Sequence, residues 1–298
     1  MDALVWYHTV MRALGRISVF VVLVVTFCTG LFLVAIWSVD DAITHTSNQT
    51  LSFNREMFDT SKITARSFVV FDVQTGTEII SKEPKKVLPT ASVAKLVAAA
   101  LVYADSDIDA TTSIQWSDVN TDGEAGKLHV GEVYSIRELT YPLLLESSND
   151  ASVVLLRVIP VLIYSMNTYI QSLGLSETVF FDTSGLSASN VSTAGELAII
   201  ARDIFIQNPH IFDITRLNQF IGTHTGWRNN NPLVHEQGYR GGKHGFTYEA
   251  DRTVVAFFDE TLIDGSIRTV GYVLLSSGSL QADIPVLRSQ IKQLITLR

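Results

Sequence analysis

The sequence predicts an α+β fold: an antiparallel sheet drawn from both ends of the body, packed with helices, and preceded by one N-terminal transmembrane helix. Three observations predict it. An uncharged apolar run of 21 residues, 17–37, lies near the start of the chain. Strand-like stretches stand at the two ends of the body beyond it. Apolar, glycine-poor helical runs fill the region between them.

The run ISVFVVLVVTFCTGLFLVAIW is long enough to cross about 30 Å of hydrocarbon as a helix. A cleaved signal peptide is the rival reading. Its apolar core is normally about 7–15 residues and ends in a small-x-small site, which is not evident here. Cys28 does not fit a lipoprotein cysteine, because bulky Phe27 precedes it. Arg12 and Arg16 come before the run, Asp40 and Asp41 after it. Positive charge stays inside, so residues 1–16 are expected in the cytoplasm and the body outside the cell membrane. Residues 38–60 are polar and weakly periodic and read as a tether. The globular body is expected over 61–298.

The 298 residues carry a net charge of -8, which disfavours general nucleic-acid binding. Cys28 is the only cysteine, so no intramolecular disulfide can form. No Cys/His cluster has metal-ligand spacing and no glycine-rich loop suits a phosphate. No cofactor is expected.

In the body, Ser67–Val73 and Thr77–Ser81 read as strands around a Thr75-Gly76 turn. After a polar loop with two prolines, VAKLVAAALVYA follows Ser92. A helix is predicted over 92–104, too apolar to be exposed and therefore central. Residues 117–134 read as loops. Ser135 opens a helix with the capping-box spacing to Glu138. Ser147-Ser148-Asn149 interrupts the apolar run, and further helices are predicted over 150–158, 163–173 and 193–207. Gly242–Tyr248, Arg252–Asp259 and Arg268–Ser276 read as strands, and 284–297 as an amphipathic closing helix.

Ser92 and Lys95 share one face at a helix start, where the helix dipole favours developing negative charge. A lysine among Val93, Ala94, Leu96 and Val97 must find partners or lose its proton, and a neutral lysine beside a serine is a competent base. Each element also has an ordinary explanation. Ser92 can cap a core helix while Lys95 snorkels to its edge, and Ser289/Lys292 repeats the spacing without functional weight. Ser147-Ser148-Asn149 can be a plain cap and turn. Lys243-His244-Gly245, after Gly241-Gly242, can be a charged strand edge beside a flexible loop.

Together, the three elements resemble the motif set of the penicillin-recognising serine acyl-transferases, in the same order. Within that superfamily the chain is most similar to the low-molecular-mass, serine-type D-alanyl-D-alanine carboxypeptidases. The likeness runs over about 66–277, through PTASVAKLVAAALV, LLLESSNDAS, FDTSGLSASNVSTAGELAIIARDIF and GGKHGFTYEADRTVVAFF. It implies a β-lactamase/DD-peptidase-like fold. It also implies Ser92 as nucleophile, Lys95 as base, Ser147 as proton relay, Asn149 as substrate amide partner and Lys243 as hydroxyl-orienting cation. The amides of Ser92 and Phe246 would form the oxyanion hole, with His244, Gly245 and Phe246 lining the substrate strand. The implied substrate is a peptidoglycan stem peptide ending in D-Ala-D-Ala, and the implied inhibitors are β-lactams. DD-endopeptidase activity on cross-links and a catalytically weak wall-binding role are the alternatives.

The sequence departs from the family pattern at two places. Ser148 stands where glycine is usual, and His244 where threonine or serine is usual. The second change puts substrate preference and penicillin affinity in question. A charged imidazole there could donate to the substrate carboxylate, while a neutral one would be a weaker partner. A C-terminal β-rich domain, common in relatives, has no counterpart in the roughly 20 residues after the last predicted strand.

Overall fold

A computed structural model of the chain describes residues 19–25, 32–38, 51–53, 55–120, 123 and 126–297. Two compact units result, 1–50 with 298, and Leu51–Leu297. Within the first, Val19–Val25 pairs antiparallel with Phe32–Ser38. The expected single helix over 17–37 is thus not what the structure contains. Valine, isoleucine and phenylalanine dominate the run, and such residues suit a strand as well as a lipid-facing helix. No single helix among the described residues is long and apolar enough to cross a membrane. The expected cytoplasmic segment 1–16 and tether residues 39–50 lie outside the described residues.

The second unit is built on a five-stranded antiparallel sheet from both ends of the unit, as expected. Its strands are β1 (Ser67–Asp72), β2 (Glu78–Lys82), β3 (Tyr239–Thr247), β4 (Asp251–Thr261) and β5 (Ile267–Ser277). Their order is β3-β4-β5-β1-β2, so β3 is an edge strand. Side-chain alternation splits β1 between two cores. Val69 and Phe71 face the helical region, while Phe68 and Val70 face the other layer. Both faces are covered, which explains why β1 is buried at every position.

The helices are α1 (Ala94–Asp105), α2 (Ile136–Tyr141), α3 (Asn149–Val158), α4 (Leu162–Ser172), α5 (Ala194–Gln207), α6 (Pro209–Thr215) and α7 (Leu280–Leu294). As its composition requires, α1 is central: it packs against α4, α5 and the turn after α2. On the opposite face of the sheet lies α7, with Leu280, Ile284, Leu287 and Ile291 turned inward.

Local chemistry moves several boundaries. Ser279 caps α7 by accepting from Ala282 N, so the closing helix begins before 284. It ends at Leu294, because Ile295–Leu297 pairs with Leu51–Phe53. That pairing draws part of the expected tether into the compact unit. Ser135 accepts from Glu138 N at 3.1 Å, but the Glu138 carboxylate binds Thr223 N and Oγ1 instead of completing the box. Thr193 caps α5 by accepting from Glu196 N at 3.0 Å.

Candidate active site

The nucleophile candidate does not open an α-helix directly. Ala91–Val93 forms a 3₁₀ turn that leads into α1 at Ala94. Ala91 holds φ +46°, a costly conformation for a residue with a side chain. Close neighbours on two sides fix this turn. An ideal Cβ on Gly185 would lie 2.0 Å from Ala91 O and 2.8 Å from Ser92 N. One on Gly245 would lie 2.5 Å from Ser92 N. Two glycines therefore let a loop and strand β3 clasp the backbone of Ser92. The strained turn is also tied by Thr90 N to Asn190 O, and by Thr253 Oγ1 to Thr90 O, each at 2.9 Å.

One helical turn on, Lys95 is fully buried. Its Nζ lies 3.0 Å from Ser92 Oγ, 2.8 Å from Asn149 Oδ1 and 2.6 Å from Ser184 O. The first distance puts a base candidate within reach of the proton it would take. The other two hold Nζ from the far side. This is not a lysine snorkelling to a helix edge, because its amine points inward to three oxygens.

Pro142 shapes the break that delivers Asn149. It follows α2 and begins a wide turn, Pro142–Glu146, closed by Ser148 N donating to Pro142 O at 2.9 Å. Ser147 then takes φ +63°, which reverses the chain. Ser148 caps α3 by accepting from Ala151 N at 3.0 Å, and Asn149 enters the cluster. The cap reading and the site reading are therefore both realised, on adjacent residues. The loop before α2 lies against this break: a Cβ on Gly123 or Gly126 would collide with Asn149 Nδ2 or Ser148 Oγ.

Edge strand β3 forms the remaining wall. Lys243 is buried, and its Nζ donates to His244 O at 2.7 Å. Gly245 abuts Ser92, and Phe246 is half-exposed beside it, with Arg252 over its ring at 5.4 Å. The His244 ring is half-buried, with an enclosed Nδ1 that has no hydrogen-bond partner. Burial, then the charges of Lys243 and Lys95, push the imidazole pKa down to about 3. His244 is neutral at working pH, so the charged imidazole considered from the sequence does not arise.

Ser92, Lys95 and Asn149 thus meet directly, Gly245 touches the same turn, and Ser147 lies two residues before Asn149. Lys243 Nζ lies against the carbonyl of its neighbour His244 on β3. The sequence assigns FDTSGL no role, yet this segment supports Lys95. Its Ser184 carbonyl binds Lys95, and its Asp182 carboxylate accepts from Ser184 N, Gly185 N and Ser187 N at 2.8, 2.5 and 2.7 Å. Burial opposes ionisation of Asp182, but these donors outweigh it and lower the pKa. A groove of about 910 Å³ lined by Phe71, Lys85, Glu196 and Arg202 holds none of the cluster residues.

A serine hydroxyl within reach of a buried amine, beside amide and cationic groups, is equipped for acyl transfer. Comparisons with known proteins agree. The family model for D-alanyl-D-alanine carboxypeptidases matches residues 54–266. The chain is 32% identical over 143 residues to a D-alanyl-D-alanine endopeptidase of Pseudomonas aeruginosa, covering 46% of each chain. It is 28% identical over 202 residues to the D-alanyl-D-alanine carboxypeptidase DacB2 of Mycobacterium tuberculosis, covering 64% of this chain and 69% of that one. The match to the Pseudomonas relative spans less than half of that protein's length. Among solved structures, the Streptomyces K15 DD-transpeptidase superposes with a TM-score of 0.69 at 26% identity, over 76% of this chain and 94% of that one.

Proposed function

This chain belongs to the D-alanyl-D-alanine carboxypeptidase family, and we propose that it removes the terminal residue from peptidoglycan stem peptides ending in D-Ala-D-Ala. The observation that carries this reading is the 3.0 Å contact between Lys95 Nζ and Ser92 Oγ, inside a turn clasped by Gly185 and Gly245. Lys95 takes the hydroxyl proton as Ser92 Oγ attacks the penultimate carbonyl carbon. The amides of Ser92 and Phe246 receive the developing oxyanion. Ser147 relays the proton to the departing amine, and D-alanine leaves. Asn149 holds the peptide amide, and Lys243 orients the hydroxyls. Water then cleaves the ester on Ser92 and restores the enzyme. Neither step calls for a metal or an organic cofactor.

Cleavage of peptide cross-links uses the same steps. It is the second reading, favoured by the endopeptidase name of the Pseudomonas relative. We further propose that the 17–37 run anchors the protein in the cell membrane, with the catalytic unit outside. Its apolar, uncharged composition and its Arg-before, Asp-after flanks support this. Mass spectrometry of protein trapped with a β-lactam tests the chemistry: the adduct is expected on Ser92 and absent from Ser92→Ala. An adduct on another residue would overturn it. Protease added to intact cells tests the anchor, and protection of the catalytic unit would refute the orientation.

A further inference from the structure

Ser147 is buried, and it holds φ +63°, in the left-handed region. That backbone is costly for a residue with a side chain, and it persists only where the surroundings over-determine it. One tie is local: Ser148 N donates to Pro142 O at 2.9 Å. The others come from a stretch some eighty residues later, at the end of the short hairpin that pairs Gln219–Ile221 with Gly226–Arg228.

These distant ties converge on the two residues before Ser147. Asn230 N donates to Leu145 O, and Asn230 Nδ2 to Glu146 O, each at 3.0 Å. Arg228 N donates to Glu146 Oε1 at 3.1 Å. The same carboxylate oxygen accepts from Lys127 Nζ at 2.5 Å. Glu146 is therefore where the turn, the 228–230 stretch and the loop before α2 meet. Its ordinary reading is one half of a surface ion pair with half-exposed Lys127, and such pairs contribute little. The contact with Arg228 N is of another kind. It needs an acceptor oxygen at that point and does not need its charge.

We infer that Glu146 is a positioning residue: its side chain ties the 228–230 stretch to the turn and holds Ser147 in the left-handed conformation from which it passes a proton to the leaving amine. The inference rests on the serine-peptidase reading of the site. Glu146 acts through Ser147 and not on the reacting atoms. Removing its side chain strands Arg228 N and frees one side of a strained turn, so the Ser147 hydroxyl shifts. A shift of about 1 Å commonly costs about 10²-fold in rate, and a smaller one correspondingly less.

A double-mutant cycle on D-alanine release from a D-Ala-D-Ala peptide tests this, with slow variants assayed at high enzyme concentration. Glu146→Ala should lose about tenfold in kcat/KM, mostly in kcat. Glu146→Gln should stay within about twofold of wild type, because its amide oxygen still accepts from Arg228 N. Adding Glu146→Ala to Ser147→Ala should cost nothing further, since residues that act as one unit are not additive. If Glu146→Ala does not fold, Asn230→Ala takes its place in the cycle. It removes only the bond from an exposed side chain to Glu146 O, and its smaller loss should likewise vanish in Ser147→Ala. A wild-type rate in the folded variant used, a glutamine variant as slow as alanine, or losses that multiply in the cycle would overturn the inference alone. No D-alanine release by wild type would overturn the proposed function with it.

Discussion

Replacing Gly245 by alanine should disable the enzyme while leaving it folded. The added Cβ would lie 2.5 Å from Ser92 N, 2.9 Å from Ala91 Cβ and 3.0 Å from Thr253 Oγ1. Ordinary van der Waals contact begins near 3.4 Å. Strand β3 and the nucleophile turn must therefore part by roughly 1 Å, and displacement on that scale commonly costs about 10²-fold in rate. The backbone at Gly245 does not lie in the left-handed region, so the penalty is overpacking alone, about 1–3 kcal/mol. For a unit of this size that lowers Tm by about 2–12 °C. The assay is release of D-alanine from a D-Ala-D-Ala peptide, paired with a calorimetric melt. The expected result is a roughly 100-fold loss of kcat/KM with a cooperative melt retained. Near-wild-type kcat/KM in a folded Gly245→Ala protein would show that the clasp on Ser92 does not set its geometry.

Lys95→Arg should reduce acylation by about 10²–10⁴-fold, because arginine keeps the charge but does not give up its proton. Stopped-flow reaction with a chromogenic β-lactam measures this, and a rate close to wild type would remove Lys95 from the mechanism. Asp182→Ala should lose about 1–3 kcal/mol through its stranded amide donors, and also activity, since the Ser184 carbonyl loses its support. The lowered pKa of Asp182 gives stability that is present above the ordinary carboxylate pKa and lost as pH falls through the folded value. Acid melts of wild type and Asp182→Ala should therefore converge. His244 gives a slope of the same sign in a higher pH window. Between its unfolded pKa near 6.5 and its folded value of about 3, the unfolded chain binds more protons, so stability drops as pH falls. His244→Gln should gain on wild type in melting temperature from pH 7 to pH 4, and a constant difference would contradict the depressed pKa.

Local signals in the sequence carried much of this fold. The alternation in SFVVFDV marks β1, and the unbroken apolar run after Ser92 marks a central helix. The helical run over 193–207 marks α5. What the sequence hid depends on contacts between distant segments. Nothing near Leu51 shows that it will pair with Leu297, and nothing near Glu138 shows that Thr223 will claim its carboxylate. The valine-rich run at 19–38 meets the criteria for either a spanning helix or a hairpin. The site was legible where side chains carry it, at Ser92, Lys95 and Asn149. It was illegible where backbone does: the Ser184 carbonyl has no residue signature, and Gly185 reads as an ordinary turn glycine. The pKa of His244 depends first on burial and then on the charges of Lys243 and Lys95, and only folding supplies the burial and brings Lys95 near.

Every step proposed for this site depends on Ser92 acting as the nucleophile of a D-Ala-D-Ala peptidase. The most direct measurement is D-alanine release from a peptide ending in D-Ala-D-Ala, by wild type and by Ser92→Ala at equal concentration, with matched melting curves. Wild type should turn over steadily, and Ser92→Ala should release none above background. Equal release by both proteins, or none from a well-folded wild type, would contradict it.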